Sequence, residues 1–499
     1  MNRFRPSSLC RPSRLPVWLL LLTVLIASDG QARTLGNLDF QPCTLAPAFA
    51  ATAIEAQCAS LSVAENRAAP DGRQIDLAIA WLPARGEAEP DPVFMLAGGP
   101  GQAARDAFVA SARALDEIRK RRHVILVDQR GTGGSHPLVC RDAEGRPAAF
   151  DEADPPSEAA MRSFAEQCRD ALSEQADLRF YGTGEAIDDL DTVRAALAAE
   201  RINLIGVSYG TRVAQHYARR YPQHTRTVVL DGVVPNDLVL GAEHARNLEA
   251  ALDMHFERCR SVPECLDRLG DPREHLDTLL AIEEGPDVEY RDPTSGELRR
   301  ERFARGHLVG VARMFSYAPN TASTLPLTLS EAAAGRYEPL MAQARLIMGS
   351  LGEQIHHGMQ LSVMCNEDAD ELVADPADEN TVLGNELIGF SRSQCEVWPR
   401  GVRDPAFRQP LTGDTPVLLL SGELDPVTPP RYGDAVAKHL NQARHLVLKG
   451  QGHAIFATGC LPRLLAQFLD RPDPNALDAG CLDALRAPPP FVAFYGWEP

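Results

Sequence analysis

The chain has 499 residues, of which 44% are hydrophobic and 24% charged, so it can bury a large core and is not disordered as a whole. Its formal charge is −18, and the body of the chain contains no basic cluster that could follow a phosphate backbone. These properties argue against a nucleic-acid partner.

The first predicted element is a secretory signal peptide over residues 1–32. Arginines at positions 3, 5, 11 and 14 precede an apolar run from Pro16 to Ala27, and small residues at Gly30 and Ala32 fit a cleavage site. An uncleaved anchor is the alternative, but the apolar run is shorter than a bilayer span. We expect an exported protein, periplasmic or secreted, with no stable membrane insertion after cleavage and an oligomeric state that the sequence leaves open.

The cysteines are consistent with export. Ten remain once Cys10 leaves with the signal peptide, and an even number is typical of disulfide-bonded proteins from an oxidising compartment. Their clustering favours pairs between neighbours in sequence: Cys43 with Cys58, Cys140 with Cys168, Cys259 with Cys265, Cys365 with Cys395, and Cys460 with Cys481. A zinc site is the rival interpretation, but no C-x-x-C pair with matching Cys or His spacing supports it, and no metal or organic cofactor is implied.

The predicted elements change character along the chain. Residues Ile75 to Leu82 predict an early antiparallel strand beside the segment from Cys43 to Ser62. Short apolar runs then predict parallel strands buried on both faces, at Val93 to Leu96, Val124 to Val127, Ile202 to Val207, Val228 to Leu230, Val417 to Leu420 and Leu446 to Leu448. Helical patterns separate them, one of them capped by Thr183. This alternation indicates an α/β fold with an open, mostly parallel sheet.

The strand pattern stops between Gly241 and Pro410. Helical periodicity dominates there, interrupted by a hairpin-like turn at Asp292 to Gly296. We interpret this insertion as a cap over the edge of the sheet where ligands bind in such folds, and the alternative is a packing domain with no part in the chemistry. The predicted organisation is a sheet domain in two parts, 33–240 and 411–499, and a mainly helical cap, 241–410.

A nucleophile is predicted in the sequence Gly206-Val207-Ser208-Tyr209-Gly210. It follows an apolar strand and opens a helical stretch, which is the strand, sharp turn and helix context of a nucleophile elbow. The flanking glycines suit a strained turn that lifts the Ser208 hydroxyl above the sheet. The alternative, a purely structural turn serine, does not require this context.

A serine nucleophile needs a base, and the base needs an acid to orient it. Asp425 follows the strand that ends at Leu420, and His453 follows the strand that ends at Leu448, so both fall at the edge of the sheet where Ser208 lies. We therefore expect His453 to take the serine proton and Asp425 to hold the imidazole. Asp231 and Glu423 are the rival acids.

Donors for an oxyanion are predicted beside this group. Ala97-Gly98-Gly99-Pro100-Gly101 follows a strand, and its backbone N–H groups can face a substrate unhindered by side chains. We assign the oxyanion hole to the backbone N–H groups of Gly99 and Tyr209. A further glycine-rich turn, 128–135, borders the same edge, and its Arg130 is expected to form an internal ion pair.

Together these motifs resemble the α/β-hydrolase serine exopeptidases. The similarity lies in the Gly98 to Gly101 run, the 128–135 turn, the Ser208 motif, Gly422 to Asp425 and Gly452-His453, and it extends over nearly the whole mature chain. The chain is similar to proline iminopeptidases and more closely to secreted tripeptidyl aminopeptidases, whose C-terminal domain the part with His453, Cys460 and Cys481 resembles. Two positions depart from the pattern, Ala97 and Gln102, and they affect substrate details rather than the triad.

The resemblance implies release of residues from a free peptide N-terminus, one at a time, at proline, or as tripeptides. Such specificity calls for a carboxylate that pairs with the substrate ammonium, and Glu367 and Asp368 are the candidates in the cap. Their alternative role is a solvated acidic turn.

The leading hypothesis is therefore an exported serine aminopeptidase that acts on peptides through an acyl-enzyme. A carboxylesterase or lipase-type hydrolase with the same triad is the first alternative. A non-catalytic binding protein of this fold is the second, although binding alone has no need of a nucleophile, base, acid and oxyanion donors together.

Overall fold

A computed structural model of the chain describes residues 32–47, 52–141, 145 and 157–497, and leaves the side chains of 350–353 undescribed. The predicted signal peptide lies outside the described residues apart from Ala32. Within the described ranges, no helix combines the length and apolar character needed to cross a bilayer.

The strands begin with a run of antiparallel neighbours and continue as parallel ones. They are β1 Arg33–Leu35, β2 Leu38–Leu45, β3 Ile54–Ala64, β4 Gln74–Leu82, β5 Val93–Leu96, β6 Val124–Val127, β7 Ile202–Val207, β8 Thr225–Asp231, β9 Asp287–Arg291, β10 Leu298–Arg302, β11 Val417–Gly422 and β12 Ala443–Leu448. Among the described residues, one ten-stranded sheet has the order β1-β2-β3-β4-β6-β5-β7-β8-β11-β12, while β9 and β10 form a separate hairpin.

The helices fall before, between and after the sheet strands. They are α1 Ala104–Ala107, α2 Asp116–Arg119, α3 Glu158–Ser173, α4 Thr183–Ala196, α5 Tyr209–Arg220, α6 His244–Arg260, α7 Pro263–Leu269, α8 Pro272–Leu280, α9 Arg305–Phe315, α10 Pro319–Ala322, α11 Leu325–Ala333, α12 Glu338–Gln354, α13 His357–Glu367, α14 Glu386–Cys395, α15 Pro430–Ala437 and α16 Leu461–Asp470.

The sheet is mixed, as the two kinds of strand pattern predict. The strands β1 to β4 pair antiparallel, and β4 also runs antiparallel to β6. From β6 onward the neighbours are parallel. Parallel strands need cover on both faces because their side chains are apolar on both sides. One face packs against apolar side chains of α4 and α5, and the other against those of α2 and α16.

The segment between β8 and β11 holds α6 to α14 and the β9–β10 hairpin. Helices α6, α8, α9, α11 and α12 pack with the hairpin around an apolar core of their own, so this segment folds around its own core rather than as a long loop. The turn of the hairpin falls where the sequence predicts it, because Asp292 accepts the backbone N–H groups of Thr294 and Ser295. We refer to residues 241–410 as the cap.

One predicted local feature is wrong. Thr183 does not cap α4: Gly182 is the N-cap and Thr183 is the first helical residue. Its backbone N–H and its hydroxyl both donate to the carboxylate of Glu367 in α13, and the hydroxyl also lies 2.7 Å from the Tyr209 hydroxyl. The Thr183 side chain, which the local sequence pattern predicts as a helix cap, therefore binds the cap residue Glu367 instead.

The structure joins the five cysteine pairs that their spacing predicts. Two of them lie within the cap: Cys259 with Cys265, and Cys365 with Cys395. The pair Cys460–Cys481 ties the start of α16 to the C-terminal segment. The five bonds are consistent with an oxidising compartment.

Candidate active site

Ser208 lies at the sharp turn between β7 and α5. Its φ of 56° and ψ of −124° are strained for a residue with a side chain. The turn is packed against backbone on both sides, since a Cβ atom at Gly206 would lie 2.3 Å from the Gly210 carbonyl oxygen, and one at Gly210 would lie 2.3 Å from the Leu96 carbonyl oxygen. Only glycine fits these two positions, which explains the spacing of the motif.

His453 and Asp425 are hydrogen-bonded partners. The Nδ1 atom of His453 lies 2.8 Å from Oδ2 of Asp425. Asp425 is itself held by the backbone N–H groups of Val427 and Thr428 on Oδ1, at 2.9 and 2.8 Å, and by the Thr428 hydroxyl on Oδ2. The carboxylate is buried and its orientation is fixed from three directions, so it can hold one imidazole tautomer.

The electrostatics of this pair favour a charged carboxylate facing an imidazole that binds a proton readily. Burial alone would raise the pKa of Asp425, but His453 and the backbone N–H donors outweigh it, and the net pKa lies below the ordinary value. For His453 burial lowers the pKa, and the Asp425 carboxylate outweighs burial and raises it above the ordinary value. An imidazolium formed here is thus stabilised by Asp425.

The rival acids occupy other roles. Glu423 is exposed and accepts the backbone N–H of Gly450 at 2.8 Å. Asp231 is buried at the end of β8 and accepts the backbone N–H of Phe456 at 2.7 Å, which fixes the loop that follows His453. Burial raises the pKa of Asp231 to about 6. Asp425 is the carboxylate whose oxygen reaches the His453 ring in hydrogen-bonding geometry.

The backbone donors proposed for an oxyanion lie beside Ser208. Gly99 and Tyr209 line the same cavity as Ser208 and His453. Tyr209 begins α5, and the N–H groups in the first turn of a helix have no partner within the helix. Its side chain is anchored away from the turn, because the hydroxyl contacts Thr183 at 2.7 Å and accepts from Gln129 at 3.2 Å. The first turn of α5 therefore places the Tyr209 N–H and the positive end of the helix next to Ser208.

The cavity in front of Ser208 has a volume of about 770 Å³ and is closed on one side by the cap. Most of its described lining residues are apolar, and none of them is an aspartate or a glutamate. Arg313 is the one arginine or lysine among them, and His244 lies in the same wall. The cavity can hold a ligand of the size of a short peptide, with apolar contacts dominating.

Glu367 and Asp368 are not among the described residues that line this cavity. Both are buried, at 3% and 1% exposure, in an ion-pair cluster between the cap and α5. Asp368 pairs with Arg212 and with Arg408, each at 2.9 Å, while Glu367 lies 3.7 Å from the Arg212 guanidinium and accepts from Thr183. Their placement does not fit the expected pairing with a substrate ammonium, because internal cations and N–H donors already occupy these carboxylates.

The cap supplies three site residues that the sequence does not single out. The backbone N–H of His453 donates to the Tyr317 carbonyl over 2.7 Å, and the Tyr317 ring lies edge-on to the imidazole at a centroid distance of 5.3 Å. Arg313 and His244 contribute polar groups to the wall. No motif marks these residues, since helical periodicity alone places them in a cap without indicating which face meets the sheet domain.

Arg130 behaves as the sequence predicts. Its guanidinium makes a two-pronged ion pair with Asp189, both N–O distances being 2.7 Å, and both side chains are buried. Neither residue is among the described residues that line the cavity next to Ser208. Among the described residues, no group of three or more histidine, cysteine, aspartate or glutamate side chains is placed to hold a metal ion.

Two family models match the chain. Residues 91–253 match the alpha/beta hydrolase fold and residues 381–481 match the TAP-like protein family. The first segment contains Ser208 and the second contains Asp425 and His453, so the matches include the two residues that line the cavity, Ser208 and His453, and the carboxylate that binds His453.

Known proteins of similar sequence include two peptidases. Serine protease Hip1 of Mycobacterium tuberculosis is 25% identical, with 91% of this chain and 95% of that protein covered. The tripeptidyl aminopeptidase of Streptomyces coelicolor is 32% identical over 191 residues, which is 36% of this chain and 35% of that protein. Among solved structures, a proline iminopeptidase from Mycobacterium smegmatis is 18% identical with a TM-score of 0.39, covering 84% of this chain and 99% of that one.

Proposed function

We propose that this chain, a serine hydrolase with the α/β-hydrolase fold, is a peptidase whose nucleophile is Ser208, with His453 as base and Asp425 as the acid that orients it. The observation that carries the proposal is the Asp425–His453 hydrogen bond of 2.8 Å in the wall of the cavity that also contains Ser208. The related serine protease and tripeptidyl aminopeptidase support peptides as substrates.

In this mechanism the Ser208 oxygen attacks the scissile carbonyl carbon while His453 Nε2 takes the hydroxyl proton. The carbonyl oxygen becomes an oxyanion that the N–H groups of Gly99 and Tyr209 stabilise. The imidazolium then gives its proton to the leaving amine, and the C–N bond breaks to leave an acyl-enzyme. His453 next takes a proton from water, the resulting hydroxide attacks the ester, and the proton returns to Ser208 as the acid product leaves.

The finer proposal is that the enzyme releases residues from free peptide N-termini, singly, at proline, or as tripeptides. The TAP-like match and the tripeptidyl aminopeptidase relative support this mode. The cavity supports the acyl-transfer chemistry rather than the recognition of an amine, because no carboxylate is found among its described lining residues.

A carboxylesterase or lipase-type activity is the second candidate. It is favoured by the same observation, since a mostly apolar cavity without a described carboxylate suits an uncharged acyl group as well as a peptide N-terminus. Both activities use the same triad and differ in the leaving group.

We further propose that the chain is exported after loss of residues 1–32. The five disulfides support an oxidising compartment, periplasmic or extracellular. The proposed domain boundaries are 33–240 and 411–499 for the hydrolase domain and 241–410 for the cap, in agreement with the separate apolar core of the cap helices.

The test compares the wild type with Ser208→Ala on chromogenic amides of one to three residues, each with a free and an acetylated N-terminus, and on a short acyl ester. Ser391→Ala is the matched control, because Ser391 also lines the cavity but lies on α14. We expect Ser208→Ala to lower kcat by about 10⁴-fold or more and Ser391→Ala to retain activity.

The substrate series separates the candidates. Cleavage of free-amine amides alone establishes an aminopeptidase, and ester cleavage without amide cleavage establishes an esterase. Cleavage that survives Ser208→Ala refutes the nucleophile, and a wild type that cleaves nothing favours a non-catalytic binding protein.

A further inference from the structure

Arg313 is a cation in the cavity wall without a described anionic partner. It lies in the last turn of α9, is half-buried and lines the cavity. No ion pair joins it to any described aspartate or glutamate; its described polar neighbour is the side chain of Tyr317. Arg305, at the other end of the same helix, shows the contrast because it pairs with Glu386.

Tyr317 places Arg313 close to the reacting groups. Tyr317 follows Arg313 by four residues, its carbonyl accepts the His453 N–H, and its ring contacts the imidazole. His244 lies in the same wall, and its titration is influenced by both Arg313 and His453. Arg313 and His244 therefore form one polar patch beside His453 in a cavity that is otherwise mostly apolar.

The charge of this patch is set by Arg313. Burial lowers the pKa of His244 to about 3, with Arg313 and His453 adding to the effect, so this imidazole stays neutral in the working pH range. A guanidinium keeps its charge at any such pH. The wall thus carries one fixed positive charge and one neutral ring that can exchange hydrogen bonds with a ligand.

A half-buried guanidinium without a described counter-ion is unfavourable, because it loses part of its hydration and gains only a neutral neighbour, the Tyr317 side chain. Its planar fork of N–H donors matches a carboxylate in two parallel hydrogen bonds. No described acidic side chain lines this cavity, so a ligand is a suitable source of the partner. A ligand carboxylate would supply the missing charge, whereas a ligand ammonium would be repelled.

We propose that Arg313, with His244 beside it, forms a carboxylate-binding subsite next to His453 that selects substrates with a carboxylate close to the scissile bond. Such a carboxylate can be the C-terminus of a short peptide or an acidic side chain. The inference rests on the proposed peptidase function and adds a substrate class to it. Arg313 is a specificity-determining residue in this scheme, and the proton transfers remain with His453.

The first experiment measures kcat/KM for short peptides that differ only in a C-terminal acid or amide, and for peptides with glutamate or glutamine next to the scissile bond. In one of these two substrate pairs, we expect the wild type to have a kcat/KM for the acid that is about tenfold or more above that for the neutral analogue. The neutral analogue cannot form the charge-assisted hydrogen bonds with Arg313. The pair that shows the preference identifies the source of the carboxylate.

The variants are Arg313→Gln, Arg313→Lys and the matched control Arg305→Gln. Arg313→Gln should abolish the preference by lowering kcat/KM for the acid alone, Arg313→Lys should keep part of it, and Arg305→Gln should keep all of it. Equal rates on acid and amide in the wild type, or an unchanged preference in Arg313→Gln, would overturn the proposal.

A second measurement does not depend on peptide cleavage. A neutral fluorophosphonate labels an activated serine, and 4-phenylbutyrate or 4-phenylbutyramide is added as a competing ligand. If the subsite exists, 4-phenylbutyrate slows labelling more than 4-phenylbutyramide does. Added salt should weaken the inhibition by 4-phenylbutyrate alone, and Arg313→Gln should remove the difference between the two ligands. Labelling with no difference between the two ligands rejects the subsite, while labelling with a difference but no peptide cleavage rejects the peptidase and keeps the subsite.

Discussion

The backbone N–H of His453 donates a hydrogen bond to the carbonyl of Tyr317 over 2.7 Å. This bond joins the proposed catalytic base, which belongs to the hydrolase domain, to a residue of the cap. A shift of the cap at this point would move the imidazole relative to Ser208. We therefore propose that the cap positions His453 as well as closing the cavity.

We expect Gly452→Ala to disturb this joint. A Cβ atom at Gly452 would lie 2.2 Å from the Tyr317 carbonyl oxygen, so either the cap or the His453 loop must move. A displacement of this kind should lower kcat/KM by up to about 100-fold while the protein still folds. Gly184→Ala is the control, because a Cβ atom there meets nothing within 4 Å. Full activity of Gly452→Ala in steady-state assays would show that the joint does not position the base.

The second prediction concerns pH. His453 must be neutral to act as a base, so activity should rise with pH through its pKa, which Asp425 raises above the ordinary value against the effect of burial. Asp425→Asn removes that stabilisation, and we expect kcat to fall by about 10⁴-fold and the midpoint of the pH–rate profile to move to lower pH.

Glu423→Gln serves as the control for this measurement, since Glu423 is the exposed rival acid. It should leave both the rate and the midpoint unchanged. If Glu423→Gln moves the midpoint and Asp425→Asn does not, the acid has been assigned to the wrong residue.

The third prediction concerns Glu367, whose pKa burial raises to about 7 despite the opposing effect of Arg212. The folded state then binds a proton that the unfolded chain has released, so this group destabilises the fold progressively as pH rises from about 4.5 to 7. Glu367→Gln should therefore gain stability relative to the wild type as pH rises over that range, which denaturant unfolding at a series of pH values would show.

Activity assays complete the test of Glu367. Because the carboxylate contacts Thr183 rather than the cavity, Glu367→Gln should change rates on free-amine and acetylated substrates by the same factor. Glu371→Gln, which removes an exposed carboxylate from the same ion-pair cluster, is the control for the pH series. A selective loss on free-amine substrates would restore Glu367 as an amine-binding residue.

The fourth prediction compares two disulfides of the cap. The bond Cys365–Cys395 closes a separation of 30 residues and Cys259–Cys265 one of 6, and all four cysteines are buried. Loop-closure entropy gives a stabilisation of about 3.6 kcal/mol for the longer loop and about 2.2 kcal/mol for the shorter one. The double alanine variant at 365 and 395 should thus have the lower Tm in calorimetry, and the reverse order would mean that strain or packing decides.

The central strands and the turn around Ser208 are features that the sequence alone predicts well. The apolar runs Val93 to Leu96 and Val124 to Val127 coincide with β5 and β6, because strands buried on both faces are apolar at every position. The turn around Ser208 was predictable from its two glycines, whose close backbone contacts allow no side chain. The sequence predicts Asp425 and His453 at one edge because the carboxyl ends of parallel strands share it.

The cap was less predictable. Helical spacing predicts α6 as a helix with a buried face but does not show that Tyr317 contacts His453, since that depends on how the cap docks on the sheet domain. The resemblance to exopeptidases suggests an amine-binding role for Glu367 and Asp368, whereas the structure pairs Asp368 with Arg212 and Arg408, of which Arg212 lies far away in sequence. Local pattern carries no information about such distant ion pairs.

The cap leaves the sheet after β8 and returns at β11, and these two strands are direct neighbours, with Val228 opposite Val417. Both ends of the cap therefore lie side by side at the sheet. A different cap could be inserted between β8 and β11 without a change in strand order. Evolution can lengthen, shorten or replace such a module while the register of the strands that carry Ser208 and Asp425 stays the same. Changes in the cap can therefore alter the substrate cavity without moving these strands, provided that the contact between Tyr317 and His453 is kept.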